Sequence, residues 1–514
     1  MTIPPVQGRR LADRAFWVAL VLSFAILAGW AVASPHMASP DEPAHAAKAA
    51  ATVRGQLGAD ESQFRPGRGT FDVPALFEQA WAQPCFAYEP QIPAGCSPRI
   101  GGDLQTIVPV ESHVARYNPL YYAVVGIPSL FPLSEFTFTA MRLMSALINA
   151  LLIALTFRVL VGLSRPLLPM LGVFAALTPM AFFIGASITP QGPEIFGAVL
   201  VGVALMALGF DPRPEALRGR GWTLAVGTAF FVMARGLSPG YLLMIVVIVA
   251  LAAPRLQTVR DIVTERRFWP PLAACVIVSV AAVAYTLLSG SLALGIVFPD
   301  PSLTAAGVAA RMLSETTSYL EQILGVFGWA DVHLPLPILI VIGGVALTVG
   351  ILGFALSRWR GRLVLALVVV AALLLPIAVQ LLSFRESGIV WQGRYVMPLA
   401  VQAPLLAGFL AGAAALPVRA GAAVLKTSVA LIAAAQVAAI TVNMHRYVNG
   451  ADGPWLGSVD GAWEPALTPL LVVGVVAVAW IAVVLLVARF ASRVAQSEGL
   501  SGERETRASD NSIG

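Results

Sequence analysis

Charge is scarce in this chain. Only 12% of its 514 residues are Asp, Glu, Lys or Arg, while 58% are hydrophobic and the mean hydropathy is +0.79. So little polar surface cannot cover a soluble globule of this size, which leaves a polytopic membrane protein. Lysine is nearly missing, with Lys48 and Lys426 the two present, a bias that points to a GC-rich bacterial genome. The net charge is +5, yet the basic residues sit in short loops between apolar runs. They lack the single patch with interleaved aromatics that nucleic acid requires, so no nucleic-acid partner is expected. There is no Gly-rich phosphate loop, zinc-ligand spacing, serine nucleophile elbow or arginine ladder, which argues against ATP hydrolysis by this chain alone.

What the chain has in abundance is apolar runs long enough to cross a bilayer. They predict an all-α fold of about 12 transmembrane helices, in a range of about 11 to 13. The runs fall near 15–34, 137–161, 167–188, 191–209, 222–236 and 239–254, then 269–291, 335–356, 363–383, 396–416, 425–443 and 466–490. The fifth and sixth are short and joined by Gly236-Leu237-Ser238-Pro239-Gly240, the pattern of a broken or re-entrant span. The first run follows Arg9, Arg10 and Arg14 and is read as a retained helix, with cleavage after Ala31-Val32-Ala33 as the alternative. Most Lys and Arg residues fall on the N-terminal side of the spans, which makes both termini cytoplasmic. All five histidines and most carboxylates fall on the opposite, extracytoplasmic side.

Three outer segments are expected, at 35–135, 297–334 and 444–465, with short helices in them and a disordered tail at 491–514. In the first, Ser39-Pro40-Asp41-Glu42-Pro43-Ala44-His45 places two carboxylates and an imidazole just past a membrane exit. Carboxylates so close to hydrocarbon are costly unless paired, solvated or used. Asp41 and Glu42 suit a general base or a metal ligand, and equally a helix cap before Ala44–Val53. Cys85 and Cys96, in an oxidising compartment, predict a disulfide. Gln392-Gly393-Arg394-Tyr395 opens the tenth run, where a guanidinium can clamp phosphate or simply anchor at the interface. Glu194 sits in a span and is a functional candidate by default, or a partner of its helix dipole. Arg142 and Arg235 lie near helix ends where either can pair with a carboxylate. Asp331 precedes His333, and Arg446-Tyr447 repeats the Arg394-Tyr395 pair in type and side.

These motifs, together with Tyr117-Asn118-Pro119-Leu120-Tyr121-Tyr122, Phe327-Gly328-Trp329-Ala330-Asp331 and Arg446-Tyr447-Val448-Asn449-Gly450, resemble in the same order a bacterial family. It is the one catalogued as domain of unknown function family 2142, similar to the GT-C superfamily of membrane glycosyltransferases. The likeness runs from about residue 12 to 490. It departs at Thr189-Pro190-Gln191, where Val-Asn-Pro is expected. The resemblance implies one GT-C-like transmembrane domain over residues 1–490 in the bacterial cytoplasmic membrane. Its active site would face outward, and its donor would be a sugar linked to polyprenyl phosphate. On that pattern Asp41 is the base and Glu42 its partner or a metal ligand. Arg394, with Gln392, Tyr395, Arg235, Arg446, Glu194, Asp331, His45 and Tyr117, would hold substrate, and the acceptor would be a cell-envelope glycan or lipid. A divalent metal on Asp41 and Glu42 is open, and no other cofactor is implied. Two rivals from other classes are a carrier or flippase for lipid-linked glycans and a non-catalytic subunit of an envelope-assembly complex.

Overall fold

The computed structural model describes residues 5–61, 68–292, 300–414 and 416–510. Residues 297–299 of the second expected outer segment and 511–514 of the expected tail lie outside these. Among the described residues each of the twelve apolar runs is mainly helical. Among the described residues nine helices are long and apolar enough to span a membrane, ten if the bent pair Leu167–Ala176 and Pro179–Gly185 is one span. The expected figure of about 12 is thus not met, for two reasons. The helix Pro214–Val232 carries Glu215, Arg218 and Arg220 in its first two turns. The helix Ser238–Ala252 has 15 residues, about 22 Å at 1.5 Å per residue, against a hydrocarbon core of about 30 Å.

The bent pair turns by 66° at Leu177-Thr178. Pro179 cannot continue the preceding helix, and the Thr178 hydroxyl instead accepts from Ala181 N–H to start the next one. At the centre of the bundle lies Gln191–Phe210, buried along its whole length except at Leu205 and Phe210, which are half-buried. A helix apolar on every side belongs in such a position. Small residues let neighbouring backbones close up: a Cβ on Gly172 would lie 2.5 Å from Pro404 O, and one on Gly408 2.5 Å from Leu168 O.

The two ends of the bundle differ. One holds the start of the first helix, Pro5–Val32, and acid–arginine pairs such as Arg158–Asp13 at 2.8 Å and Arg220–Asp211 at 2.9 Å; we call it the arginine end. At the other, the loop end, the long segment after Val32 is folded. It contributes the helix Glu42–Thr52 and a small antiparallel sheet of Asp60–Glu61, Gly69–Pro74 and Ile107–Ser112, with Phe71 opposite Val110. Phe71 and Val73 face inward while Asp72 is exposed, an alternation too short to stand out in the sequence. Cys85 and Cys96 are disulfide-bonded with Cα atoms 6.1 Å apart. A second hairpin pairs Val326–Phe327 with Val332–His333. The last helix, Pro469–Asp510, stays helical through residues expected to be disordered, because Glu, Arg, Leu and Ala there are good helix formers.

Candidate functional site

Asp41 occupies the N-cap position of Glu42–Thr52, but it does not cap. Its backbone is left-handed, φ 66° and ψ −1°, and its side chain makes no hydrogen bond to the helix. Pro43 in the first turn fixes where the helix begins. The carboxylate is turned away, with Oδ2 3.2 Å from Arg394 Nη2 and Oδ1 3.2 Å from His113 Nε2. Its side chain keeps 31% exposure, whereas that of Arg394 keeps 5%. Among the described residues the non-glycine positions with positive φ are Met37, Asp41, Tyr88 and Ala330, all at the loop end. Backbone held in this region is costly and recurs around functional sites.

Glu42, its neighbour, has a different environment. It is fully buried and bound bidentately by Arg142, Nε to Oε1 at 2.7 Å and Nη2 to Oε2 at 2.6 Å. Ile188 N–H donates to Oε1 at 3.0 Å and Ser39 N–H to Oε2 at 3.4 Å. Arg142 gives its remaining N–H groups to the carbonyls of Ala31, Ser34 and Pro35. Both Glu42 oxygens therefore already have two partners within the chain.

Around Asp41 and Arg394 gathers a wider set. The Arg394 guanidinium lies 5.3 Å from the Tyr395 ring centroid, and Arg235 lies 4.7 Å from the same ring. Arg235 Nη1 is 3.7 Å from Glu194 Oε2, while Ser238 Oγ donates to Glu194 Oε1 at 2.8 Å. Glu194 Oε2 and Arg394 Nε are buried without hydrogen-bond partners. Tyr117 lies close enough to Arg235 to bear on its charge, and its ring centroid lies 6.0 Å from that of His45. His45 shares a 2.7 Å hydrogen bond with Tyr122 Oη and is otherwise enclosed. The motif backbone is pinned from three sides. Gln191 Nε2 donates to Arg394 O at 2.8 Å, Tyr241 Oη to Tyr395 O at 2.7 Å, and Gly393 N–H to Gln322 Oε1 at 2.7 Å. Gly393 is required there, because a Cβ would run into the Tyr319 carbonyl. Gln392 is half-buried, and its carbonyl accepts from Tyr395 N–H at 3.0 Å.

Electrostatics divide the titrating groups. Burial alone would raise the Asp41 pKa, but the hydrogen bond and charge of His113, then Arg394 and His45, outweigh it and hold the carboxyl well below the usual range. Burial pushes His45 down to about 3; Asp41 opposes this, and His113, Arg235 and Arg394 reinforce it. Asp41 is thus an ionised carboxylate beside a neutral imidazole at neutral pH.

Asp331 and Arg446 lie apart from this cluster. Arg446 is buried, pairs with Asp331 Oδ2 at 2.8 Å, and donates to the carbonyls of Phe86, Glu89 and Ile92 within the disulfide-closed loop. Its Nη groups are taken by the chain itself, while its Nε, like that of Arg394, is buried without a hydrogen-bond partner. His333 pairs with Glu321 at 2.8 Å, so it and Asp331 have different partners. Among the described residues no group of three or more His, Cys, Asp or Glu is placed to hold a metal ion. Two residues of the site were not singled out in the sequence, His113 and Tyr88. The latter is an exposed ring whose phenol feels the charges of Asp41, Arg394 and Asp331. His113 belongs to no recognisable motif, although its placement on the outer side was a usable signal.

A family of membrane proteins of unknown function, described as "Predicted membrane protein (DUF2142)", matches residues 24–403. The chain belongs to this family. In this DUF2142 protein the matched region contains Asp41, His113, Glu194, Arg235, Arg394 and Tyr395, and ends before Arg446. Neither the curated proteins nor the solved structures include a match to it.

Proposed function

We propose that this DUF2142 protein is a GT-C-like glycosyltransferase that moves a sugar from a polyprenyl-phosphate-linked donor to a hydroxyl of a cell-envelope glycan or lipid. The loop end would face the extracytoplasmic side of a bacterial cytoplasmic membrane, with both termini cytoplasmic. The observation that carries this reading is the Asp41–Arg394 contact at 3.2 Å, which joins residues 353 positions apart. A partly exposed carboxylate beside a guanidinium is the pairing that one substrate, touching both, would need.

In the reaction the acceptor hydroxyl gives its proton to Asp41 as its oxygen bonds to the anomeric carbon. The bond from that carbon to the phosphate oxygen breaks, and the lipid phosphate leaves with its added charge met by Arg394 and Arg235. A general base of this kind contributes about 10²–10⁴ in rate, and buried guanidiniums are suited to phosphate. Glu42 acts as a positioning residue, holding the turn that aims Asp41. Among the described residues no cluster of three or more His, Cys, Asp or Glu would hold a metal, and no step is routed through one. A carrier would need its charged groups near mid-bilayer, whereas Glu194, Arg235 and Arg394 gather at the loop end.

The test replaces Asp41 with Asn in the producing cell and compares the sugar composition of its envelope with that of the wild type at equal protein level. Loss of one sugar from the envelope is expected. An unchanged envelope with normally folded Asp41→Asn protein refutes the reading.

A further inference from the structure

A second feature lies at the arginine end, away from Asp41. Between the helices Pro5–Val32, Phe136–Val161, Leu167–Ala176 and Pro469–Asp510 runs a cleft of about 330 Å³. Its walls, with Phe157, Phe174 and Val487 among them, are apolar. The Ser23 hydroxyl on the wall is turned back onto Ala19 O at 2.5 Å. Arg14, Arg489 and Arg493 line it at one end, all three exposed, and the last two are a helical turn apart on one face.

Some basic residues at this end have acidic partners: Arg158 has Asp13, and Arg213 and Arg220 share Asp211. Among the described residues Arg14, Arg489 and Arg493 have none, as is also true of Arg255 and Arg260 outside the cleft; what distinguishes the three is that they meet at the mouth of one apolar groove. Apolar walls of this kind suit an acyl chain, and three guanidiniums together at their mouth suit an anionic headgroup. The depth indicates what fills both. From Arg14 to Ile26 the cleft follows the first helix for 12 residues, about 18 Å at 1.5 Å per residue. One leaflet is about half of a hydrocarbon core of about 30 Å. A chain longer than one leaflet, such as a polyprenyl tail, would outrun it.

We propose that this cleft binds an anionic glycerophospholipid of the arginine-side leaflet, one acyl chain in the groove and the headgroup phosphate on Arg14, Arg489 and Arg493. The inference is independent of any activity at Asp41. Purified full-length protein is mixed with dioleoylphosphatidylglycerol, dioleoylphosphatidylcholine or undecaprenyl phosphate, and retained lipid is counted by native mass spectrometry. The wild type should keep phosphatidylglycerol at least about tenfold better than phosphatidylcholine, and an R14Q/R489Q/R493Q variant should lose that preference. R255Q/R260Q, which changes arginines at the same end outside the cleft, should retain it. If the triple variant does not fold, R493Q alone should reduce the preference, and Val487→Trp should block retention by filling the groove. Equal retention of the two phospholipids, an equal loss in R255Q/R260Q, or stronger retention of undecaprenyl phosphate would overturn the proposal.

Discussion

Asp41 and Glu42 are adjacent carboxylates, and the structure gives them opposite consequences when each loses its charge. Glu42→Gln keeps an acceptor for Ile188 N–H but turns a donor toward Arg142 Nη2, across what is now 2.6 Å. With side-chain exposures of 3% for Arg142 and 0% for Glu42, the charge left behind has little access to water. Breaking a buried pair costs about 3–5 kcal/mol, and the three carbonyls that still accept from Arg142 place this case near about 3 kcal/mol. In a thermal melt of the detergent-solubilised protein, Tm should fall by about 3 °C. Asp41→Asn removes a contact that keeps access to solvent, worth about 1 kcal/mol or less, and Asn tolerates the left-handed backbone well. Its Tm should stay close to wild type while, under the proposed function, sugar transfer drops by about 10²–10⁴. If Asp41→Asn melts early and transfers normally while Glu42→Gln does neither, the division of labour is wrong.

His113 lowers the Asp41 pKa through its hydrogen bond and its charge, so in His113→Gln the acid limb of the transfer rate should move to higher pH; an unmoved limb would count against the contact. Burial, first among its causes, drives His36 down to about 4, as it drives His45 down to about 3. The unfolded chain, with histidines near 6.5, therefore takes up protons first. Stability from these two groups is complete above about pH 6.5 and lost as pH falls toward 4. Asp41, with its own pKa depressed, loses its contribution only below the ordinary carboxylate range, so Tm between pH 6.5 and 4.5 should follow the histidines, and H36Q/H45Q should flatten it. A wild-type Tm that is level across that window would rule this out. Arg446→Met strands a buried Asp331 and should cost about 3–5 kcal/mol. Chymotrypsin should then cut faster at Tyr88, and Asp331→Leu in the same chain should recover part of the loss; additive losses would show that the two do not act as a pair.

The apolar runs marked nearly every membrane helix because hydrophobicity over about 20 residues is a local property. Where the chain broke its own pattern, the reasons were also local: Pro179 bends one run, and Arg218 and Arg220 draw the start of another toward the arginine end. The positions of Asp41 and Arg394 were legible for the same reason, each being a polar motif at the mouth of an apolar run. Their contact was not, because it joins residues 353 apart. Nor could the sequence separate Asp41 from Glu42, since what separates them is Arg142, 100 residues further on. The same holds for Arg446. It looks like Arg394 in sequence, each being an Arg-Tyr pair near a helix end, yet its Nη groups bond three carbonyls of the Cys85–Cys96 loop and Asp331.

The pairing that depresses Asp41 has a mechanistic consequence under the proposed function. A carboxylate held by a guanidinium is a weak base, so Asp41 paired with Arg394 is poorly suited to take a proton. A lipid phosphate carries more charge and more acceptor oxygens than one carboxylate, and it would compete for Arg394, whose Nε has no partner. As Arg394 turns to the donor, one of the charges holding Asp41 down is withdrawn, while His113, whose hydrogen bond and charge weigh more, stays in place. Arg235, against the same Tyr395 ring but held by Glu194, stays in place and supplies a second positive charge as the phosphate leaves. Donor binding would therefore strengthen Asp41 as a base in part, and full release would also require the acceptor to displace it from His113.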